Sequence, residues 1–535
     1  MIVNVAEHLD RMARDQPRTA ALVLPTRKGL RRTLTFRDLY ESRNRMANGL
    51  RQAGITRGMR TVLMVPPSEE FFSITFALFT LAAVPVLIDP GMGISRLGPC
   101  LSAAEPQAFI GIGKAHVARR ILGWGKRTIH TTINVGRFSL FCSASTGRFP
   151  LHPDSIPGPE VKRDHLAAIL FTSGSTGPAK GVEYTHGIFA SQVEMLKSTY
   201  GIQPGEVDFC SFPLFALFGP ALGMTCVVPR MDASRPASID ALQAVTDINS
   251  HAVTNLFGSP VVIRKLSETG RPLPTIRRAI SAGAPATMTV VNEFQKMLPD
   301  GVELFTPYGA TESLPVANIG SSELLETRDL TSSGHGVCIG RPVDGMTVNV
   351  IRIRDEPIDD WDDSLCLPDG EIGELVVKGP VVTKRYYNQP EATSLAKIAD
   401  AATGEPWHRM GDVGYRDSTG RLWFCGRKNH RVVTLGQTLF TDQIEPPYNS
   451  VGIGRTALVG VSRNGRTYPV LCVESIVPFD VERLRPHGPI KTILRFDSPQ
   501  GFPVDVRHQS KIFREKLAIW ADEQLGPRWT GDEST

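Results

Sequence analysis

The sequence predicts an α/β protein with a large N-terminal domain of parallel or mixed sheets covered by helices, a β-rich subdomain, and a small α+β C-terminal domain. Three observations lead to this fold class. The chain has 535 residues, which is too many for one hydrophobic core. Short apolar runs alternate with helical patterns as far as about residue 350, which is typical of parallel sheets with covering helices. Beyond that point, strand-like runs with polar turns follow, and a smaller α/β pattern begins near His430.

The strands of the N-terminal domain are predicted from short apolar runs bounded by turn residues. The clearest lie at residues 60–65 (RTVLMV), 106–112 (PQAFIGI), 166–172 (LAAILFT), 252–258 (AVTNLFG) and 276–283 (IRRAISAG). The longest apolar stretch, residues 71–90, is interrupted by Ser73, Thr75 and Pro85. It therefore predicts a helix to about Ala83 followed by a strand, and we expect no transmembrane segment.

The β-rich subdomain is predicted from residues 371–380 (EIGELVVKGP) and 420–428 (GRLWFCGRK), and a strand pair follows at residues 455–474. The polar, basic run at residues 426–431 (GRKNHR) favours a hinge, which divides the chain into domains of residues 1–427 and 428–535. A β-turn between two strands explains the same composition equally well.

Composition limits the classes of function. The formal net charge of +5 is small for this length and does not indicate a nucleic-acid-binding protein. The eight cysteines are scattered without a CxxC pair, so neither a zinc site nor a disulfide framework is predicted. The N-terminus mixes acids and bases and lacks the apolar core of a signal peptide. These features favour a cytoplasmic protein.

The first candidate binding element is the loop FTSGSTGPAKG at residues 171–181. Its glycines, Gly174 and Gly177, let successive backbone N–H groups turn inward, as in a phosphate cradle. Hydroxyls come from Thr172, Ser173, Ser175 and Thr176, and Lys180 adds a positive charge. A Walker A loop and a nucleophile elbow both fail to match the spacing. A flexible surface turn remains the alternative for these residues alone.

Four further stretches carry candidate residues. The stretches SAGAP (residues 281–285) and PYGATES (residues 307–313) each follow an apolar strand, which places them at the carboxyl edge of a sheet, where ligands usually bind. The other two stretches, at residues 408–428 and 502–520, contain Asp412, Arg427 and Lys511. A turn-capping aspartate and a surface helix lysine are the ordinary interpretations of Asp412 and Lys511 taken alone.

In this order and spacing, the stretches resemble the adenylate-forming superfamily of acyl-CoA synthetases, luciferases and nonribosomal adenylation domains, over essentially the whole chain. The resemblance implies ATP and Mg²⁺ as cofactors and a mobile C-terminal domain that carries the adenylation lysine. It implies that Tyr308 stacks on adenine, Thr311 contacts the α-phosphate, Glu312 and Thr176 hold Mg²⁺, and Asp412 and Arg427 bind the ribose. Lys511 would bridge carboxylate and α-phosphate, although Ser510 stands where the family has glycine. The remaining implied nucleotide-binding residues are Thr172, Ser173, Gly174, Ser175, Gly177, Lys180, Gly283, Ala284 and Gly309.

Longer stretches resemble one branch, the β-lactone synthetases of bacterial long-chain olefin biosynthesis. They include residues 84–93 (VPVLIDPGMG), 212–225 (FPLFALFGPALGMT), 308–317 (YGATESLPVA) and 439–449 (LFTDQIEPPYN). The resemblance implies adenylation of a long-chain 2-alkyl-3-hydroxy acid, after which the 3-hydroxyl attacks the mixed anhydride and gives a β-lactone and AMP. It also allows a complex with other enzymes of the olefin pathway.

Three positions depart from the pattern of acyl-CoA synthetases. Ala216 replaces a usual histidine, Leu435 stands where glycine usually borders the pantetheine tunnel, and Asn429 occupies the hinge position of an Asp or Lys. A leucine at position 435 would crowd a thiol cofactor. A long-chain acyl-CoA ligase or acyl-AMP ligase, and a non-catalytic nucleotide- or acyl-binding relative, remain alternatives. The candidates for a base in ring closure are His186, His408, His430 and His508.

Overall fold

The protein was analysed as a computed structural model, which describes residues 2–26, 30–88, 92–136, 142–150, 156–172, 179–504 and 511–531. Five sheets organise these residues. The mixed α/β architecture confirms the predicted fold class.

The first sheet has the order β7-β6-β5-β3-β4-β8-β9. Its strands are β3 (Arg60–Met64), β4 (Val84–Leu87), β5 (Ala108–Gly111), β6 (Thr131–Asn134), β7 (Ala144–Ser145), β8 (Leu166–Thr172) and β9 (Lys180–Thr185). All neighbours in it are parallel except β8 and β9. The candidate phosphate loop joins this antiparallel pair, with Thr172 and Lys180 in register at its base.

The second sheet has the order β14-β13-β12-β10-β11-β1-β2. Its strands are β1 (Ala20–Pro25), β2 (Arg31–Thr35), β10 (Val207–Cys210), β11 (Thr225–Val227), β12 (Asn255–Gly258), β13 (Arg278–Ser281) and β14 (Leu304–Phe305). The strands are parallel apart from the edge strand β2. Because β13 and β14 are parallel neighbours, the SAGAP and PYGATES stretches leave the sheet at the same edge.

Between and around these strands, the described residues form α-helices. They are α1 (Ala6–Asp15), α2 (Phe36–Gln52), α3 (Glu69–Thr80), α4 (Ile94–Ala104), α5 (Gly113–Ile121), α6 (His186–Tyr200), α7 (Gly219–Leu222), α8 (Ala241–Ser250), α9 (Pro260–Ser267), α10 (Met288–Gln295), α11 (Ser321–Glu326), α12 (Arg328–Ser332), α13 (Pro390–Ala396), α14 (Thr441–Asn449) and α15 (Arg514–Leu525).

Local sequence signals account for the start of α6 and for the helix of the long apolar stretch. The side chain of Thr185 accepts a hydrogen bond from the backbone N–H of Ile188 and caps α6. Helix α3 covers the first half of the long apolar stretch and is almost wholly buried; it ends at Thr80, slightly before the predicted Ala83, and β4 follows it as predicted. In the described part of the chain, no helix combines the length and the apolar character that crossing a bilayer requires.

The third sheet is antiparallel, with the order β15-β16-β17-β22-β21-β19-β18 and β20 paired to β21. Its strands are β15 (Tyr308–Ala310), β16 (Ser313–Asn318), β17 (Val337–Pro342), β18 (Thr347–Ile351), β19 (Gly373–Lys378), β20 (Lys397–Ile398), β21 (Trp407–Arg416) and β22 (Leu422–Arg427). It begins well before residue 350, where the sequence predicted the change. The reason is that β15 and β16 pair around a tight turn, in a stretch whose Gly, Ser and Pro residues favour a loop.

After β22, the described strands pair only among themselves. Strands β23 (Val432–Val433) and β24 (Thr438–Leu439) form a short hairpin, and β25 (Arg455–Arg463), β26 (Arg466–Glu474) and β27 (Thr492–Phe496) form the last sheet. The turn between β25 and β26 contains Asn464 and Gly465, both with positive φ, which suits a two-residue hairpin. Residues 428–430 form a single 3₁₀ turn between β22 and β23.

A buried carboxyl group in the second sheet makes stability depend on pH. Burial raises the pKa of Asp208 to about 7, while hydrogen bonds from Asn255 and Cys210 oppose the shift. The folded state therefore holds a proton that the unfolded state has lost, and stability falls as pH rises from about 4 to 7. Asp208→Asn should thus gain thermal stability over the wild type as pH rises through this window, and the gain should level off above it. Melting curves at pH 5 and 8 test this, and an equal difference at both would contradict it.

Candidate active site

The centre of the candidate site is an ion pair on adjacent antiparallel strands. Asp412 of β21 lies opposite Arg427, the last residue of β22. The Arg427 Nη1 atom lies 2.8 Å from Asp412 Oδ1, and the aspartate is 3% exposed. Oδ1 is buried and accepts no hydrogen bond within the described residues. It can therefore accept one from a ligand hydroxyl, and Arg427 can contact the same ligand.

Tyr308 contacts this ion pair, and the charge of Lys511 acts on it. The Tyr308 hydroxyl donates to Asp412 Oδ2 at 2.6 Å, and burial beside this carboxylate raises the tyrosine pKa well above its usual value. Burial also raises the pKa of Asp412, whereas Arg427, the Tyr308 hydroxyl and Lys511 favour its charged form. The short segment before α15 therefore brings the Lys511 charge to the pair. Three stretches that are distant in sequence meet here.

Glu312 lies in the turn between β15 and β16. Its carbonyl oxygen accepts hydrogen bonds from the backbone N–H of Thr383 at 2.9 Å and from the Thr383 hydroxyl at 3.1 Å. The Tyr386 hydroxyl donates to its carboxylate at 2.8 Å. The neighbouring Thr311 is held through its carbonyl by the Tyr184 hydroxyl at 2.6 Å. The turn is therefore fixed at both residues. Gly309 allows the tight approach, since a Cβ there would lie 2.7 Å from the carbonyl oxygen of Ser313.

A buried lysine that the sequence analysis did not identify stabilises Thr383, the residue that holds this turn. Lys397 of β20 is 8% exposed, and its ammonium group donates to the carbonyl and hydroxyl of Thr383. Burial lowers the Lys397 pKa to about 7, and the nearby Glu312 carboxylate opposes the shift. Its position beside a helix end gave no sequence signal, because only the folded chain places it near Glu312.

The candidate phosphate-binding residues are only partly described. Ser173, Gly174, Ser175, Thr176, Gly177 and the side chain of Thr172 lie outside the described residues. Lys180 is described, and its Nζ lies 4.9 Å from the centre of the Tyr386 ring, so Tyr386 contacts both Lys180 and Glu312. Gly283 and Ala284 follow β13, and Gly283 has a φ of 98°, which favours glycine.

The candidate histidines are mostly buried. His186 is 1% and His408 is 2% exposed, and burial lowers the pKa of each, to about 4 for His186. The His408 Nδ1 atom is hydrogen-bonded with the carbonyl of Ala396. Burial also lowers the pKa of His430 to about 4. His508 lies outside the described residues, as does Ser510.

The positions that depart from acyl-CoA synthetases have different surroundings. Ala216 is 1% exposed and belongs to the hydrophobic core beside α7, which leaves no room for an imidazole. Leu435 is 79% exposed, in the turn between β23 and β24. Asn429 lies in the 3₁₀ turn after β22.

The residues fit a divalent ion that is held mainly by substrate. Within the described residues, no group of three or more His, Cys, Asp or Glu side chains could hold a metal. Glu312 offers a single carboxylate, fixed through one oxygen by Tyr386. A lone carboxylate combined with phosphate oxygens is a usual arrangement for Mg²⁺.

Comparisons with known proteins relate the chain to a family and to two curated relatives. Residues 9–387 match the family model described as AMP-binding enzyme. The chain is 46% identical over 549 aligned residues to the olefin beta-lactone synthetase of Stenotrophomonas maltophilia strain K279a, covering 98% of this chain and 99% of that protein. It is 44% identical to the olefin beta-lactone synthetase of Xanthomonas campestris pv. campestris, covering 98% of each.

Among solved structures, the fold is similar to that of o-succinylbenzoate coenzyme A synthetase from Bacillus subtilis in complex with ATP and magnesium ion. The TM-score is 0.75 at 20% identity, over 95% of this chain and 98% of that one. This likeness concerns the fold.

Proposed function

We propose that this chain, a member of the olefin beta-lactone synthetases, adenylates a long-chain 2-alkyl-3-hydroxy acid with ATP and closes the product to a β-lactone. The chain belongs to the AMP-binding enzyme family, whose model matches residues 9–387. The enzyme is thus an AMP-forming ligase. The observation that carries the proposal is the near full-length identity of 46% to a protein of that name. The meeting of Tyr308, Asp412, Arg427 and Lys511 at one place supports it.

The nucleoside of ATP is proposed to bind at the Asp412–Arg427 pair. The Oδ1 atom of Asp412 is ion-paired with Arg427 but accepts no hydrogen bond of good geometry from it, so it would accept one from a ribose hydroxyl, and Arg427 would donate to the same sugar. The ring of Tyr308, held by its bond to Asp412, would lie against adenine. Gly283, Ala284 and Gly309 would leave room for the base, and residues 172–177 with Lys180 would bind the phosphates.

The adenylation step brings a carboxylate to the α-phosphate, and these two negatively charged groups repel each other. Its rate depends on alignment and on neutralisation of charge. Lys511, close to the ribose-binding carboxylate, would lie between the two reacting anions, and Lys180 would stand over the phosphates. Mg²⁺ bound by Glu312, with Thr176 as a further ligand, would supply Lewis-acid stabilisation of the phosphate charge. The substrate carboxylate oxygen bonds to the α-phosphorus, and pyrophosphate leaves.

Ring closure follows within the bound acyl-adenylate. The 3-hydroxyl oxygen bonds to the acyl carbon, the bond from that carbon to the phosphate oxygen breaks, and AMP leaves. A well-oriented internal nucleophile has an effective molarity of roughly 10⁵ M or more, part of which the strained four-membered ring forfeits. The burial of His186 and His408 disfavours both as the base that accepts the hydroxyl proton.

We also propose the domain division at residues 427 and 428, with a mobile C-terminal domain that carries Lys511. The support is that strands after β22 pair only among themselves in the described chain. All eight cysteines are free thiols, which suits the reducing cytoplasm.

Coenzyme A is the reagent that tests the proposal against an acyl-CoA ligase. With ATP and a 2-alkyl-3-hydroxy acid, adding coenzyme A should change neither AMP release nor lactone yield. A fatty acid without the 3-hydroxyl should stop at bound acyl-adenylate. The measurement is mass spectrometry of products with and without coenzyme A, for the wild type and for Leu435→Gly. Accumulation of acyl-CoA by the wild type would contradict the proposed β-lactone synthesis and would indicate an acyl-CoA ligase.

A further inference from the structure

The helices packed on the first sheet present one surface that carries both basic and apolar side chains. Residues 106–153 contain no Asp or Glu, although acidic residues make up 54 of the 535 residues of the chain. The Lys and Arg residues of this stretch are Lys114, Arg119, Arg120, Lys126, Arg127, Arg137 and Arg148. The small net charge of the whole chain therefore conceals one strongly basic segment.

Helix α5 and the turn after it carry five of these basic residues, Lys114, Arg119, Arg120, Lys126 and Arg127. The helix buries only His116, whose ring contacts the carbonyl of Ile133. The opposite face carries Val117 and Ile121, which are 55% and 77% exposed, and Leu122 at the end of the helix is 48% exposed. We call the following six residues the α5 surface: Lys114, Val117, Ile121, Leu122, Lys126 and Arg127.

Spacing places charge around the apolar residues. Lys114, Val117 and Ile121 are three and seven residues apart along the helix, so they share one face. Lys126 and Arg127 are exposed in the turn that follows. Within the described residues, Lys114, Lys126 and Arg127 form no ion pair, so their charge is available to a partner. Exposed apolar side chains surrounded by unpaired cations are typical of surfaces that lie on anionic bilayers.

We infer that the α5 surface docks the enzyme peripherally on an anionic lipid bilayer, with Val117, Ile121 and Leu122 entering the headgroup boundary. Charge complementarity selects this partner, because each Lys or Arg near such a surface raises binding about fivefold. The exposed apolar side chains add contact that a purely ionic surface lacks. The inference does not rest on the proposed function.

The test is flotation of the full-length protein with vesicles of phosphatidylcholine containing phosphatidylglycerol, and with phosphatidylcholine alone. We expect binding to the anionic vesicles that falls as salt rises. Lys126→Glu/Arg127→Glu should weaken binding by roughly twentyfold or more. Val117→Ser/Ile121→Ser should weaken binding and should lower its resistance to salt. Arg271→Glu/Arg277→Glu, the same charge change at two exposed arginines elsewhere, should retain most of the binding.

Several results would overturn the inference. One is that the wild type fails to float with anionic vesicles at low salt, and another is that the α5 and control variants lose binding equally. A third such result is that the wild type forms a dimer and Val117→Ser/Ile121→Ser dissociates it. The last would assign the surface to a protein partner. Pyrophosphate release from a soluble short-chain acid should stay at the wild-type level in all variants, so failure of docking and failure of the proposed chemistry are distinguished.

Discussion

Lys511→Ala should lower pyrophosphate release by roughly a thousandfold while ATP affinity changes little. The Lys511 charge favours the ionised form of the Asp412 carboxyl group, which indicates that the lysine faces this site. A cation in this position stabilises charge that develops as carboxylate and α-phosphate approach. Binding, by contrast, depends on Asp412, Arg427 and Tyr308, which the substitution leaves in place.

The experiment separates the two effects by measuring pyrophosphate release and nucleotide affinity independently. Lys516→Ala is the matched control, since Lys516 is an exposed lysine of α15, just after the segment that carries Lys511, and its Nζ lies over the Phe513 ring at 5.2 Å. It should keep the wild-type rate. Wild-type-like release from Lys511→Ala would remove that residue from the adenylation step.

Local signals account for the parts of the fold that the sequence predicted. Thr185 caps α6 through a hydrogen bond to the third residue of the helix, and such a cap can be read from a polar residue before a periodic stretch. Asp412 and Arg427 lie on one continuous antiparallel hairpin, so their pairing follows from two adjacent strands. Both features depend on neighbours within a short length of chain.

The shell around Glu312 could not be predicted in the same way. Tyr386 and Thr383 are more than 70 residues from Glu312 in sequence, and Lys397 is bonded to Thr383 and interacts with the Glu312 charge. A tyrosine, a threonine and a lysine in unremarkable stretches carry no pattern that marks them. Their roles arise from the way β20 and the loop after β19 pack beneath the turn, which is a tertiary effect.

Glu312→Gln should raise the Mg²⁺ concentration needed for half-maximal adenylation and lower the rate at limiting Mg²⁺ by roughly a hundredfold. A neutral amide is a weaker ligand than a carboxylate for a hard cation. The turn itself should survive, since its hydrogen bonds from Thr383 reach the Glu312 carbonyl and do not involve the side chain. Excess Mg²⁺ should therefore restore part of the activity.

Tyr386→Phe separates binding of Mg²⁺ by the Glu312 carboxylate from orientation of that carboxylate by Tyr386. This variant keeps the carboxylate and the ring beneath Lys180, and it loses the hydroxyl that holds one carboxylate oxygen at 2.8 Å. Its Mg²⁺ requirement should rise by about tenfold at most, because a missing positioning contact costs less than a missing ligand. Mg²⁺ titrations of pyrophosphate release, and of nucleotide binding without acid, measure both variants. If the Glu312→Gln titration superimposes on that of the wild type, the ion is held elsewhere and the carboxylate serves the fold of the turn.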